Sequence, residues 1–128
     1  MTQEGKELLI KDLCARQPYR VKISVDDDDL FIPTLKYIDG IVCHFYECAW
    51  IKYIDYIKPY LRSMSRMTKE EKSTYLSYCE CDDGDYTGEI LYFNTIESFD
   101  YLNQIHVDYR NLIPMGLALE APEDMYVL

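Results

Sequence analysis

The chain has 128 residues, of which 48% are hydrophobic, and it carries a formal net charge of −10. This length and composition exclude a disordered protein and fit a single folded domain. The negative charge disfavours direct nucleic-acid binding because phosphates repel such a surface, and no apolar run reaches the roughly 18–20 residues that a membrane helix needs.

The opening residues and the cysteines indicate the cellular compartment. The segment "MTQEGKELLIKDLCARQ" mixes both charge signs and lacks the continuous apolar core of a signal peptide. The five cysteines are an odd number, and without a secretion signal they indicate reduced thiols. We therefore expect a cytoplasmic protein.

The first half of the chain predicts one helix followed by strands. Apolar residues at helical spacing predict a helix from about Gln3 to Arg16, which Pro18 stops. The segment "YRVKISV" alternates as a half-buried strand does, and "LFIPTLKYI" and "IVCHFY" flank Asp39-Gly40, a favoured hairpin pair. With "AWIKYI" as a further strand, these segments predict an antiparallel meander of about four strands, curved into a small half-barrel.

Near Lys58 the apolar spacing changes from period two to helical, which predicts a mainly helical second half. The segment "DYIKPYL" predicts a short turn of helix, and "MTKEEKSTYLSYC" opens with a capping box of Thr68 and Glu71. The segment "YTGEILYFN" is strand-like, "TIESFDYLNQIH" predicts a third helix, "DYRNLIPMG" predicts a short fourth turn, and the chain end predicts a strand.

The predicted fold class is therefore α+β, with an N-terminal helix, an antiparallel β-meander and a mainly helical C-terminal half. Residues 1–128 are expected to form a single domain. Within it, residues 1–61 form the helix-plus-meander lobe, and residues 62–128 form a helical lobe packed on it.

The stretch "CDDGDYTGEI" resembles half of a calcium-binding loop. Asp83, Asp85 and Thr87 fall at the first, third and fifth places of an EF-hand. Place twelve is Asn94, which offers one weak oxygen where the motif has a bidentate Glu, and strand-like sequence stands where the second helix should begin. A solvated acidic turn is therefore favoured over a calcium site.

Four cysteines form two pairs, Cys43 with Cys48 and Cys79 with Cys81. Four residues separate the first pair and one residue separates the second, whereas zinc knuckles usually have two between ligands. The spacing therefore disfavours zinc, and we expect no cofactor and no tightly bound metal.

Sequence motifs for catalysis are missing. The chain has no glycine-rich phosphate loop, nucleophile elbow or dinucleotide fingerprint. His106, beside Asp108 at the end of the third predicted helix, is interpreted as a dipole-favoured, hydrogen-bonded cap rather than as a general acid or base. We therefore expect no enzymatic activity.

Two segments favour a protein interface. One contains Tyr60 and Arg62, and the other contains Tyr109 and Arg110. Arg and Tyr are common interface anchors, and the two segments lie side by side if the third helix packs back on the sheet. These four residues are the predicted partner-binding site.

An internal role for Arg110 is an equally favoured interpretation. It would pair with Asp100 or Asp108 and fix the last turn of the chain. The two interpretations differ in what a substitution does. If Arg62 and Arg110 bind a partner, replacing either with alanine weakens binding and leaves the melting temperature nearly unchanged.

Three segments, "LLIKDLCARQPYRVKI", "KPYLRSMSRMTKEE" and "SFDYLNQIHVDYRNLIPMGLALEAPEDMY", resemble a group of short uncharacterised proteins carried by phages and prophages of gut bacteria. The resemblance covers roughly half of the chain. The sequence departs from the group's pattern at "HVDYRN", where an aromatic and a Gly are more usual. The resemblance implies a phage or mobile-element accessory protein in a bacterial host cell, and no catalytic residues come with it.

The leading functional hypothesis is a non-enzymatic accessory protein that binds a host or phage protein through its C-terminal half. One alternative is an acidic counter-defence inhibitor that occupies a nucleic-acid-binding groove. The strings "DDDD" and "CDDGD" supply the charge for it, but they are clustered in turns rather than spaced like phosphates. A second alternative is a small ion- or ligand-binding module. The sequence names neither the partner nor the oligomeric state.

Overall fold

A computed structural model describes residues 1–82 and 90–126 and shows an α+β fold with an N-terminal helix and several sheets. The helices are α1 (Gln3–Arg16), α2 (Lys69–Tyr78) and α3 (Ile96–Gln104). The strands are β1 (Ile23–Val25), β2 (Leu35–Asp39), β3 (Val42–Phe45), β4 (Ile51–Tyr53), β5 (Ile57–Ser63), β6 (Glu80–Asp82), β7 (Leu91–Phe93), β8 (Val107–Asp108) and β9 (Leu119–Glu120). None of the helices in these described ranges has both the length and the apolar character needed to cross a bilayer.

Helix α1 has the bounds that its sequence predicts. The Thr2 hydroxyl caps its first turn by accepting a hydrogen bond from the Gly5 amide at 3.0 Å. Pro18 lies in the single turn of 3-10 helix that follows. The helix buries Leu9 and Leu13 completely, so that it packs against the strands of the first half.

Strands β2, β3 and β4 pair antiparallel in chain order. Asp39 pairs with Val42, so the two turn residues are Gly40 and Ile41, one residue later than predicted. Gly40 has φ +61° at the first turn position, the place where a type II′ hairpin turn requires glycine. The first of the four predicted strands, β1, pairs with β5, and its segment joins the β2 segment only through an isolated antiparallel bridge between Lys22 and Thr34. The four-stranded meander and its half-barrel are therefore not confirmed.

Strand β5 corrects the prediction of a helical turn at "DYIKPYL". Residues 54–56 form one turn of 3-10 helix, and the chain then continues as the strand at the centre of a four-stranded sheet. This strand is antiparallel to β1 and parallel to both β8 and β9, whereas the predicted sheet was antiparallel throughout.

Pro59 lies inside this central strand, where a missing N–H normally costs a ladder hydrogen bond. The next residue, Tyr60, donates its N–H to the Lys22 carbonyl at 2.8 Å, on the β1 side. Because successive N–H groups of a strand point to opposite edges, the Pro59 nitrogen faces the other edge. The proline therefore interrupts no ladder bond with β1. On the other edge, the pairing with β9 begins only at Tyr60, one residue later.

The described part of the C-terminal half is not mainly helical, because four strands accompany α2 and α3 and residues 112–116 form turns. The predicted boundary between residues 1–61 and 62–128 falls inside β5. One apolar cluster unites α1 and the first strands with Leu112, Leu117 and Ala118 from the end of the chain. A second cluster consists of Met67, Leu102, Ile105 and Val107. The division into two lobes stays a prediction.

Helix α2 begins where its capping box predicts. The Thr68 hydroxyl accepts the Glu71 amide at 3.1 Å, and the Glu71 carboxylate accepts the Thr68 amide at 2.9 Å. Helix α3 is capped in the same way by Thr95 and Ser98. Helix α2 nevertheless buries none of its side chains, so the segment that it opens lies at the surface.

Candidate protein-binding surface

Tyr60 and Arg62, two of the predicted partner-binding residues, make internal contacts. Tyr60 is 8% exposed, and its carbonyl accepts the Tyr126 hydroxyl at 2.7 Å. The Arg62 guanidinium donates to both Glu71 carboxylate oxygens, at 2.9 and 2.8 Å, and to the Ile105 carbonyl at 3.1 Å. The hydrogen bonds from Arg62 hold the pKa of Glu71 below its usual range.

Arg110 pairs internally, but with neither of the two predicted aspartates. Its Nη1 atom lies 2.7 Å from Oδ1 of Asp12 on α1, and its guanidinium stacks 4.7 Å from the centre of the Tyr109 ring. Asp100 instead accepts the Tyr19 hydroxyl at 2.7 Å, and the Asp108 carboxylate accepts backbone amides of the turn that follows it.

The pairing of β5 with β8 brings the two predicted segments side by side, with Arg62 opposite Val107. Their arginines nevertheless contact different elements, because Arg62 binds Glu71 and Arg110 binds Asp12. Their binding of a partner stays a prediction, but both arginines already have ion-pair partners within the chain.

We now expect Arg62→Ala to destabilise the protein rather than to leave its melting temperature unchanged. The Arg62 side chain is only 11% exposed, and its loss removes the guanidinium hydrogen bonds to Glu71 and to the Ile105 carbonyl, at a cost of about 2 kcal/mol. Thermal unfolding followed by circular dichroism measures this loss, with the exposed Lys72→Ala as a matched control. Equal melting temperatures of the parent and the Arg62→Ala variant would return this residue to the partner-binding interpretation.

The calcium-loop candidates Asp83, Asp85 and Thr87 lie outside the described residues. At place twelve, the Asn94 side-chain oxygen accepts hydrogen bonds from the Tyr75 hydroxyl and from Ser98 Oγ. Within residues 1–82 and 90–126, no group of three or more His, Cys, Asp or Glu side chains is placed to hold a metal ion. The expectation that zinc and calcium bind weakly or not at all stays a prediction.

Two groups of potential chemical interest are buried. Burial, and then the nearby Cys14 thiol, raise the pKa of Cys43 to about 12, so its thiol stays protonated. His106 is 5% exposed and stacks 3.8 Å from the Tyr126 ring, and its Nδ1 atom has no hydrogen-bond partner among the described residues. It is therefore not the hydrogen-bonded cap that the sequence predicted.

A cleft of about 610 Å³ lies between the end of β5, the start of α2 and the C-terminal segment. The cations on its wall are Arg62 and Arg66, and the carboxylates of Glu71 and Glu120 engage them at 2.8 and 2.6 Å. The cleft therefore offers paired charges rather than an unpaired cation for an anionic ligand.

The surface that sequence reasoning missed consists of exposed apolar side chains on both sides of β7 and on the first turns of α3. We call it the hairpin face. It consists of side chains that are each between 39% and 85% exposed, namely Ile90, Leu91, Tyr92, Phe93, Ile96 and Phe99. Ile96 and Phe99 stand at helical spacing with Leu102 and Ile105 in the segment that predicts the third helix, but the structure buries only the latter two.

The hairpin face is exposed because β6 and β7 pair with each other and leave every side chain of both strands open to solvent. Isolated two-stranded hairpins are marginally stable in water, since they have no packed face. At its base, the hairpin is held by a hydrogen bond from the Thr95 hydroxyl to the Tyr78 carbonyl at 2.7 Å. The side chains of β7 are left without a covering layer in the described chain, whereas Phe99 on α3 contacts the Tyr109 ring with a centroid separation of 5.1 Å.

The charge of the two hairpin strands has one sign, whereas Lys11 and Arg110 lie beside Ile96 and Phe99 at the α3 end of the hairpin face. Residues 73–109 contain eight Asp and Glu and no Lys or Arg, so this stretch carries most of the net charge of −10. The carboxylates beside the apolar side chains of β7 repel acidic surfaces, including a second copy of this chain, and attract basic ones.

A second exposed apolar surface surrounds β4. Trp50 is 60% exposed, and its ring contacts Phe31 edge-on with a centroid separation of 5.8 Å. Charges of both signs lie beside it, since Lys52 pairs with Asp26 of the "DDDD" turn at 2.9 Å. This strand is backed by the rest of its sheet, whereas the hairpin is open on both faces.

Comparison of the chain with protein-family models, with curated proteins and with solved structures finds no match. The candidate site therefore rests on geometry and charge. Of the surfaces described, the hairpin face has the greatest run of consecutive exposed apolar residues, Ile90–Phe93, and the charges on its two strands are all acidic.

Proposed function

We propose that the protein is a non-enzymatic accessory protein that acts by binding another protein through the hairpin face. The observation that supports this most is the exposure of the whole apolar run Ile90–Phe93 on a hairpin without a packed side. Contiguous exposed apolar patches with polar rims are typical of interaction sites. Covering these side chains would remove apolar area from water, which favours association by about 25 cal/mol per Å² before the costs of binding.

The chemistry of the interior supports a role without catalysis. The imidazole of His106 is buried, the Cys43 thiol is protonated, and the arginines of the cleft are occupied by carboxylates. None of these groups is paired with a second group as a nucleophile is with its base.

The resemblance to small phage and prophage proteins supports a role as a mobile-element gene product in the bacterial cytoplasm. The partner is then a host protein or another phage protein. Because residues 73–109 are acidic, a basic protein is the favoured class.

Differential capture from infected-cell lysate tests the proposal. The parent protein is expected to retain one protein in stoichiometric amount, and a Leu91→Ser/Phe93→Ser double variant is expected to lose it. The matched control is Ile51→Ser/Tyr53→Ser on β4. Its two side chains are 54% and 52% exposed, compared with 50% and 53% on β7, so both variants remove similar exposed apolar groups.

The outcome of this comparison separates the two exposed apolar surfaces. Loss of the captured protein with the β7 variant alone supports the hairpin face. Loss with the β4 variant alone moves the interface to β4, and retention by both variants removes exposed apolar binding from consideration.

Occupation of a nucleic-acid-binding groove remains an alternative form of the same activity, favoured by the acidic stretch 73–109. In that case the captured protein is a nucleic-acid-binding protein, and added DNA or RNA displaces this chain from it. Retention of the complex in the presence of excess DNA and RNA would favour binding elsewhere on the partner.

A further inference from the structure

We propose that β7 receives an extended segment of the partner protein in which Lys or Arg alternates with apolar residues. The segment would lie antiparallel or parallel to Leu91–Phe93 as an added strand. This inference rests on the proposed function and specifies the chemistry of the partner at the hairpin face.

The first support is the unprotected edge of β7. In the part of the chain that the structure describes, β7 pairs with β6 alone, which leaves its other edge free to pair. Proteins usually protect such edges with Lys, Pro or a bulge. Residues 90–94 contain no charge and no proline, and the register between β6 and β7 is regular.

Strand β6 differs from β7, because its central Cys81 lies between two carboxylates, those of Glu80 and Asp82. Charged side chains keep an edge strand solvated and are one means by which proteins prevent strand addition, and only beside β7 would an added strand cover a continuous apolar run. The apolar edge of β7 is therefore the favoured side of this hairpin for a new strand.

The second support is the arrangement of side chains on the two faces of the hairpin. Phe93 lies opposite Glu80, and Leu91 lies opposite Asp82, so one face alternates apolar and acidic groups. Tyr92 lies opposite Cys81 on the other face, which is uncharged at these positions.

A strand beside β7 therefore meets acidic groups on one face and apolar groups on the other. Lys or Arg side chains on the first face can cover Leu91 and Phe93 with their aliphatic stems and extend their charged ends towards Glu80. Apolar side chains on the second face can contact Tyr92. Because side chains of a strand alternate between faces, the matching sequence alternates basic and apolar residues.

A capped peptide of alternating lysine and valine, carrying a fluorescent label, is the probe for this site. Fluorescence anisotropy is expected to show saturable binding to the parent protein. A peptide of alternating glutamate and valine is expected not to bind. A third peptide has the lysine–valine sequence but is N-methylated at alternate backbone positions along the pairing edge. It keeps the charge but cannot pair as a strand, so we expect it to bind at least tenfold more weakly.

Substitutions in the protein locate the binding site. Glu80→Gln is expected to weaken lysine–valine binding by roughly threefold to fivefold, and Leu91→Ser/Phe93→Ser is expected to abolish it. Asp29→Asn removes the same charge from an exposed turn elsewhere and is expected to change the affinity by less than about twofold.

Three outcomes would overturn the inference: no binding of the lysine–valine peptide, equal binding of its N-methylated form, or equal weakening by Glu80→Gln and Asp29→Asn. Either of the last two results would show that the peptide binds by general charge attraction rather than as an added strand. If the lysine–valine peptide does not bind but a partner is still captured through Leu91 and Phe93, the proposed function stands. Only the added strand is then rejected.

Discussion

Replacing Asp12 with alanine is expected to lower the free energy of unfolding by about 3–5 kcal/mol. Asp12 is fully buried on α1 and accepts hydrogen bonds from two arginines. Its Oδ2 atom lies 2.8 Å from Arg16 Nε, and its Oδ1 atom lies 2.7 Å from Arg110 Nη1. One buried carboxylate therefore holds two guanidinium groups.

The loss is large because Arg16 is itself completely buried. One of its nitrogens, Nη2, donates to the Val107 carbonyl at 2.7 Å, and another, Nη1, has no hydrogen-bond partner among the described residues. Without Asp12, the positive charge of Arg16 would stay in the interior without the carboxylate that pairs with it. Removing one partner of a buried ion pair is far more costly than replacing both with apolar side chains.

Chemical denaturation with urea measures this prediction, and a fall in melting temperature of roughly 10–20 °C should accompany it. Glu7→Ala is the matched control, because it removes a carboxylate from the exposed face of the same helix and should change the stability by less than about 0.5 kcal/mol. Asp12→Asn keeps the shape and removes the charge, so it should lose most of the same free energy. A loss below about 1 kcal/mol for Asp12→Ala would show that water or local rearrangement compensates Arg16.

The elements that the sequence predicts well are those with local signals at their ends. Helix α1 lies between a capping Thr2 and the stop at Pro18, and α2 begins at the Thr68 capping box. These signals act within a few residues of each other, so one sequence is sufficient to recognise them.

Strand β5 was missed because its partners are distant in sequence. It pairs with β1 near the start of the chain and with β8 and β9 near the end, and Pro59 argues locally against a central strand. The ion pair of Arg110 with Asp12 spans 98 positions and was missed for the same reason. Asp100 and Asp108 were the predicted partners of Arg110 because they are acidic and close to it in sequence.

The hairpin face was missed for a different reason. Apolar residues at helical spacing predict a buried stripe, but spacing alone does not show how far along the helix the core extends. The apolar core ends between Phe99 and Leu102, so the apolar side chains at the start of α3, Ile96 and Phe99, stay exposed. A sequence signal does exist, because the absence of Lys and Arg from 73–109 sets this region apart from the rest of the chain.

Lowering the pH from 7 to 5 is expected to destabilise the protein by about 2 kcal/mol through His106 alone. Burial, and then the positive charges of Arg16 and Arg62, lower the pKa of His106 to about 4 from its ordinary value of 6.5. In the unfolded chain, the imidazole regains the ordinary pKa and binds a proton more readily. Between these two pKa values the unfolded state binds more protons, so stability is complete above about pH 6.5 and decreases as the pH falls towards 4.

Urea unfolding at pH 7, 6 and 5 measures this decrease, and His106→Asn should remove it. Asparagine is the suitable replacement because His106 has φ +64°, a left-handed conformation that Asn tolerates better than most residues. His44→Asn is the control, since that histidine is partly exposed and stacks on Tyr37 at 4.1 Å.

Three carboxylates also have lowered pKa values, namely Glu47, Glu71 and Glu120. They lose their contributions to stability mainly below pH 5, so the change between pH 7 and 5 is assigned to His106. If the His106→Asn variant lost as much stability as the parent between pH 7 and 5, another group would be responsible, and the buried imidazole would have to find a partner for its proton in the folded state.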